Sequence, residues 1–306
     1  MGVFVFLPLV LPLTAWPVAR IAAHRLHPRM ATWLLVGFSG ALAVCSTLSL
    51  GLLMVVGTAQ LPGNPLPDGW SDPEVRAAVP YDEVAGLLAV PALGVVVLSC
   101  ADAVRRHLRV RRRASRALAG MPLRSVVVLP DSTPYAYALP GKKGRVVVTT
   151  ALLGALSGPE RRALFAHERA HLTARHHRFL LAARLAARAN PFLLPLRTAV
   201  AYTTERWADE DAATRIGSRR TVARAVGKAS LVSRDTAFAG FASAGPVPRR
   251  VAALLAPAPA TRRWPSVFTA AGLATWGAAA ATTVSALSSA NSAVSLYLIL
   301  EAATPL

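Results

Sequence analysis

Long unbroken apolar runs, rather than alternating ones, mark both ends of this chain. Four stretches read as membrane spans, at about 3–19, 31–59, 84–101 and 267–287. An apolar helix of about 20 residues crosses a bilayer, and a longer one crosses with tilt. The first run is interrupted by Pro8, Pro12 and Pro17, which weaken a helix, so an interfacial segment competes with a full span. Its positive charges, Arg20, Arg25 and Arg29, follow the apolar stretch instead of preceding it. That order points to a retained anchor rather than a cleaved secretory signal. The apolar tail 288–300 is too short to cross alone, and extends the fourth helix or lies at the interface.

Between the third and fourth runs the pattern changes. Short β-branched stretches at 124–129 and 145–150, a weakly alternating one at 135–139, and Gly141-Lys142-Lys143-Gly144 as a turn predict a small antiparallel sheet. Ser157, Pro159 and Glu160 then form a capping-box signature that opens a helix to about residue 174. Further helices are expected at 179–189, 194–216, 219–232 and 246–255, and a Pro-rich linker at 256–265. The expected organisation is a membrane region 1–101, a domain 102–265 with its own core, and a final helix with a short tail, 266–306.

Composition supports this division. Hydrophobic residues are 54% and charged residues 16% of the 306 positions, against about 25% charged in ordinary soluble chains. The net charge of +19 is carried almost entirely by arginine. Nucleic-acid binding is one reading. The positive-inside bias is the stronger one, because the arginines border apolar runs and no recognition motif accompanies them. Arg105, Arg106, Arg109, Arg111, Arg112, Arg113 and Arg116 follow the third run, and Arg262 and Arg263 precede the fourth. Loop 60–81 instead carries Asp68, Asp72 and Glu74 against Arg76. The expected topology is a multi-pass cell-membrane protein with 20–30 and 102–265 in the cytoplasm and 60–81 outside. Cys45 and Cys100 lie in apolar runs without metal or disulfide spacing, and read as small buried hydrophobes.

The chemistry lies on the capped helix. His167 and His171 are four residues apart and share one helical face, from which both imidazoles can grip one Zn2+. Glu168, one step round, is placed to take a proton from water beside the metal. A catalytic zinc needs a third protein ligand and an open position. His176, His177, Glu205, Asp209, Glu210, Asp211, Asp235 and Glu301 follow in the sequence. His177 has the spacing of the HExxHxxGxxH pattern, but Ala174 stands where that pattern turns on glycine. His176 and His177 read instead as polar residues at the helix end. Glu205 is the better candidate, sharing a face with Asp209, which can hydrogen-bond a ligand imidazole. Tyr202, one turn before Glu205, is a candidate oxyanion stabiliser, with ordinary packing as the simpler role. The run 145–150 is a candidate for strand addition to an extended substrate.

HExxH followed by Glu205-Arg206-Trp207-Ala208-Asp209 on a later helix resembles the integral-membrane gluzincin metallopeptidases. The BlaR/MecR type is the nearer group, and the HtpX-type and prenyl-protein (CAAX) endopeptidases are related ones. The paired N-terminal spans, the Arg-rich stretch, Asn190-Pro191-Phe192 and Arg250-Val251 carry that preference. The resemblance implies a mainly α membrane protein: about four transmembrane helices and a cytoplasmic α+β zincin-like domain. It implies zinc held by His167, His171 and Glu205, Glu168 as general base, and Asp209 supporting a ligand histidine. The implied activity is hydrolysis of a cytoplasmic protein such as a transcriptional repressor. With fewer than about 20 residues expected after the last full span, no extracytoplasmic penicillin-binding domain fits, so β-lactam sensing is not expected. A quality-control protease of the HtpX kind, and a non-catalytic scaffold with a structural zinc clip, are the alternatives; a clip has no need of Glu168.

Overall fold

The computed structural model describes residues 2–61, 63–64, 66–73, 75, 82–117, 125–141, 144–233, 247–259, 266 and 268–304. Among these residues, four helical stretches are long and apolar enough to cross a membrane: Val3–Arg25, Pro28–Ala59, Val84–Ala117 and Gly272–Ala302. The first is a series of short pieces: a 3-10 turn Gly2–Phe6, α1 (Leu7–Val10), a second 3-10 turn Leu11–Thr14, and α2 (Ala15–Arg25). Helix α3 (Pro28–Ala59) and helix α4 (Asp82–Ala117) are continuous. α4 carries the arginine run on the same rod as the apolar run. Gly57 of α3 and Gly86 of α4 meet so closely that a Cβ on Gly57 would collide with the Gly86 backbone, which fixes the register of this pair.

The prolines of the first stretch leave a specific debt of hydrogen bonds. Pro8 and Pro12 have no N–H to offer the carbonyls four residues back, those of Phe4 and Pro8. Neighbouring helices supply the missing donors. Ser288 Oγ donates to the Phe4 carbonyl and Ser46 Oγ to the Pro8 carbonyl, each at 2.6 Å. Asn190 Nδ2 donates to the Leu9 carbonyl at 3.3 Å and to Ser46 Oγ at 3.0 Å. Irregular backbone is tolerated at membrane depth only when it is satisfied in this way.

The sheet has three strands, β1 (Val126–Leu129), β2 (Ala136–Leu139) and β3 (Arg145–Thr149), in the order β1-β3-β2. It is mixed, not antiparallel as the sequence suggests: β2 runs antiparallel to β3, but β1 runs parallel to it. The cause is the segment after Pro130. It crosses the end of β3, where the Asp131 carbonyl accepts from the Ala151 N–H and the Tyr135 carbonyl from the Thr149 N–H. β2 therefore lands on the far side of β3 instead of beside β1. Consequently β3 is the central strand, paired on both sides, and has no free edge for strand addition. Residues 124 and 142–143, parts of the expected first strand and turn, lie outside the described residues.

Five more helices complete this part: α5 (Thr150–Ala155), α6 (Gly158–Thr173), α7 (His176–Ala189), α8 (Leu194–Ile216) and α9 (Arg219–Val232). α10 (Val247–Leu255) and α11 (Ala270–Ala302) follow. α11 includes the tail 288–300, so that segment extends the fourth helix. Most of the expected 256–265 linker lies outside the described residues. α6 opens on the capping box, with the Ser157 N–H donating to Glu160 Oε2 at 2.9 Å. It ends because Arg175 adopts φ 54°, a left-handed conformation, which turns the chain so that α7 begins at His176. The largest apolar cluster is shared between regions: Ala31, Leu35 and Leu42 of α3 pack with Phe179 and Ala183 of α7 and Leu196, Val200 and Trp207 of α8.

Candidate metal centre

Two helices build the site. α6 presents His167 and His171 from one face, and α8 lies against it with Glu205 and Asp209. The imidazole Nε2 atoms of His167 and His171 are 3.1 Å apart. Glu205 Oε2 lies 3.5 Å from His167 Nε2, and Oε1 lies 3.5 Å from His171 Nε2. Zinc bonds of about 2.0–2.1 Å in a tetrahedron separate ligand atoms by about 3.3 Å. The triangle is therefore of the right size, and its donor set, two imidazoles and one carboxylate, suits a catalytic zinc. These three residues form a group that could hold a metal ion.

Each of these two imidazoles has a neighbour at its other nitrogen. His167 Nδ1 lies 3.0 Å from Asp209 Oδ1, an ion-pair distance without the alignment of a regular hydrogen bond. His171 Nδ1 lies 2.8 Å from His176 Nδ1. If His171 binds metal through Nε2, it carries its proton on Nδ1, and His176 must accept it. That arrangement would leave His176 neutral with its proton on Nε2, a buried atom without a hydrogen-bond partner among the described residues. His176 is 1% exposed and tilted against Trp207, ring centroids 4.7 Å apart. Its burial, with the nearby His171, pushes its pKa down to about 2. The left-handed Arg175 brings this residue back under α6. His177, by contrast, is half-buried toward Arg111 and His107 of α4.

Arg250 of α10 secures the carboxylates. Its Nε and Nη2 donate to the two oxygens of Asp209 at 2.9 and 2.7 Å, and its Nη1 lies 2.9 Å from Glu205 Oε2. Burial opposes ionisation of Glu205, but Arg250 and the two histidines outweigh it and hold its pKa at about 2. Asp209 is held below the usual carboxylate range against burial by the same guanidinium. Burial drives His171 down to about 4. It also opposes a charge on His167, yet Asp209 and Glu205 hold that ring up at about 10. Two ionised carboxylates beside a neutral His171 give the pocket the electrostatic condition for binding a cation.

Glu168 is 6% exposed, and burial lifts its carboxyl to about 7. It faces a cavity of about 80 Å3 lined also by Tyr135, Ala136, His167, Val222, Ala225 and Arg250. Tyr202 is placed with its ring by His24 and under the Arg249 guanidinium. Glu210 pairs with Arg206 and Arg219, and Glu301 sits near the far end of α11. Asp235 lies outside the described residues. His176 and Arg250 are the residues that sequence reasoning missed as parts of the site. Both are brought in by chain reversals that leave no periodic signal.

No curated protein and no solved structure matches the chain. The family model for Peptidase family M48 matches residues 102–186. That stretch holds the second half of α4, the sheet, and α6 and α7 with His167, Glu168, His171 and His176, and it ends before Glu205, Asp209 and Arg250. The part of the chain that carries the HExxH helix is thus similar to a peptidase family, and the carboxylate half of the centre is added by the residues beyond it.

Proposed function

We propose that this chain is a multi-pass membrane zinc metalloendopeptidase whose catalytic face looks into the cytoplasm. The observation that carries the reading is the His167–His171–Glu205 triangle with buried Glu168 at the cavity beside it. His167, His171 and Glu205 would hold zinc, which would supply Lewis acidity for a peptide carbonyl and for water. Glu168, raised toward neutrality by burial, accepts the proton of the attacking water and returns it to the leaving amine. Asp209 and His176 fix the two imidazole orientations, and Arg250 keeps both carboxylates ionised. Tyr202, whose ring lies by His24 and under Arg249, is the candidate oxyanion stabiliser. The cytoplasmic orientation follows from the arginine distribution. A cytoplasmic regulatory protein such as a transcriptional repressor is the proposed substrate class, from the resemblance to the BlaR/MecR type.

The test is zinc content and proteolysis of the detergent-purified full chain, with fluorescein-labelled casein as the probe. About one zinc per chain is expected, as for a single catalytic site. Glu205→Ala should lose the metal. Glu168→Ala should keep it and lose cleavage. A chain that holds zinc but cleaves nothing, with Glu168→Ala indistinguishable from wild type, would support the structural clip instead.

A further inference from the structure

We infer that residues 190–196, the turn joining α7 to α8 with the first residues of α8, form a re-entrant wedge. It docks into the bilayer leaflet nearest the metal centre. Phe192 and Leu194 lie among the acyl chains, and Arg184, Arg188 and Arg197 lie at the phosphates of anionic phospholipids.

Depth is the first observation. Cys100 Sγ of α4 meets the Leu185 carbonyl of α7 at 3.7 Å. Asn190 lies five residues farther along α7, about 7 Å at the helical rise. On α4 the apolar run ends at Ala101, and Asp102, Arg105 and Arg106 follow. A second route gives the same depth. Asn190 bonds Ser46, which is eleven residues before Gly57. Since Gly57 touches Gly86, the level of Ser46 on α4 is near Val97, about 6 Å within the apolar run. The turn therefore reaches past the level where charge begins.

Chemistry is the second. The segment Asn190-Pro191-Phe192-Leu193-Leu194-Pro195-Leu196 has no charged side chain. Its one polar side chain, Asn190, is 5% exposed and fully engaged. Its Nδ2 serves the Leu9 carbonyl and Ser46, and its Oδ1 accepts from the Phe192 N–H at 3.0 Å. Pro191 and Pro195 present no N–H. Little backbone polarity is left to be wetted, as membrane depth requires. Phe192 is 49% and Leu194 47% exposed, large apolar surface at a depth where water is scarce.

Charge is the third. Between Arg169 and Thr204 there is no acidic residue. Arg184, Arg188 and Arg197 are exposed, and Arg184 feels the like charges of the other two. Three mutually repelling guanidinium groups just below an apolar tip complement a plane of phosphates. A consequence, resting on the peptidase reading, is a fixed working distance. Glu205 stands 11 residues along α8 from Leu194, about 16 Å. Cleavage is therefore confined to segments of a substrate that lie close to the membrane surface.

The experiment places a nitroxide on Phe192→Cys in the full chain carrying Cys45→Ala and Cys100→Ala. The protein is reconstituted in vesicles of phosphatidylcholine with phosphatidylglycerol. A label on Arg162→Cys of α6 is the water-facing control, and Leu194→Cys is the second site should the first variant fold poorly. Power saturation should show the tip labels more accessible to oxygen than to a nickel chelate, and the control the reverse. Equal nickel access at tip and control overturns the wedge. Replacing Arg184, Arg188 and Arg197 by Gln should make the tip label wetter in phosphatidylglycerol vesicles and leave it unchanged in pure phosphatidylcholine. A depth indifferent to both lipid charge and the arginines overturns the phosphate contact. Neither readout depends on proteolysis, so failure here leaves the peptidase reading standing.

Discussion

Arg250 grips Asp209 through two parallel hydrogen bonds of 2.9 and 2.7 Å while its remaining nitrogen lies 2.9 Å from Glu205. One guanidinium, 4% exposed, therefore answers two buried carboxylates from different turns of α8. Removing it leaves both without their main cation. Breaking one side of a buried ion pair costs about 3–5 kcal/mol, so Arg250→Gln should unfold at markedly lower temperature or denaturant than wild type. Arg250→Lys should lie between, because an ammonium cannot make the bidentate contact. Added zinc should recover part of the loss in Arg250→Gln by supplying positive charge at Glu205. A variant as stable as wild type would mean the two carboxylates are compensated elsewhere.

His176 makes a different prediction. As the acceptor for His171 Nδ1 it sets the tautomer that leaves Nε2 free for metal. Replacing it with Phe keeps the packing against Trp207 and removes the acceptor. Zinc affinity, measured by competition with a chromophoric chelator, should fall by about 10–100-fold. His176→Asn, which retains a hydrogen-bonding side chain, should lose less. If Phe and Asn weaken binding equally, packing rather than the hydrogen bond is the role of this residue.

These two residues also show what the sequence hides. His167, Glu168 and His171 are legible because helical periodicity alone puts them together. Glu205 and Asp209 are legible by the same rule on a second helix, since the spacing Glu-x-x-x-Asp tells which face they share. His176 is not: a continuous helix would aim it away, and only the left-handed Arg175 returns it. Arg250 is 41 residues from Asp209 in sequence and reaches it from a helix folded back over α9. Sheet topology failed for a similar reason. Two β-branched runs, an alternating one and a glycine turn report strands, but the crossing of 130–135 over the end of β3 depends on contacts with Thr149 and Ala151 that no local pattern records.

Glu160 offers a test by pH. Lys228 Nζ lies 2.9 Å from its Oε2, and the Ser157 N–H donates to the same oxygen. The Lys228 bond, then the Ser157 backbone bond, lower its pKa to about 2 from 4.5. A depressed folded pKa stabilises above the unfolded value and is lost as pH falls through the folded one. Glu160→Gln keeps the capping-box hydrogen bond but not the charge. It should therefore be less stable than wild type at neutral pH, by about 0.5–1 kcal/mol because Lys228 is half exposed. The difference should shrink between pH 4.5 and about 2. Denaturant midpoints of the two proteins across that range decide it. A gap that stays constant to low pH would show that the charge contributes nothing and that shape accounts for the loss.

The proline-broken first stretch is tested by a double-mutant cycle. Ser288 donates to the Phe4 carbonyl because Pro8 cannot. Ser288→Ala alone should destabilise the chain in detergent by about 0.6–1.7 kcal/mol, the range for hydrogen bonds between membrane helices. Pro8→Ala restores an N–H one turn after Phe4, so the carbonyl gains a donor within its own segment. In that background Ser288→Ala should cost much less, giving a coupling term of about half a kcal/mol or more between two residues distant in sequence. Ser46, which serves the Pro8 carbonyl, should couple to Pro12 in the same manner. Additive effects at both pairs would mean that the serines act by packing, and that the freed carbonyls are satisfied by water.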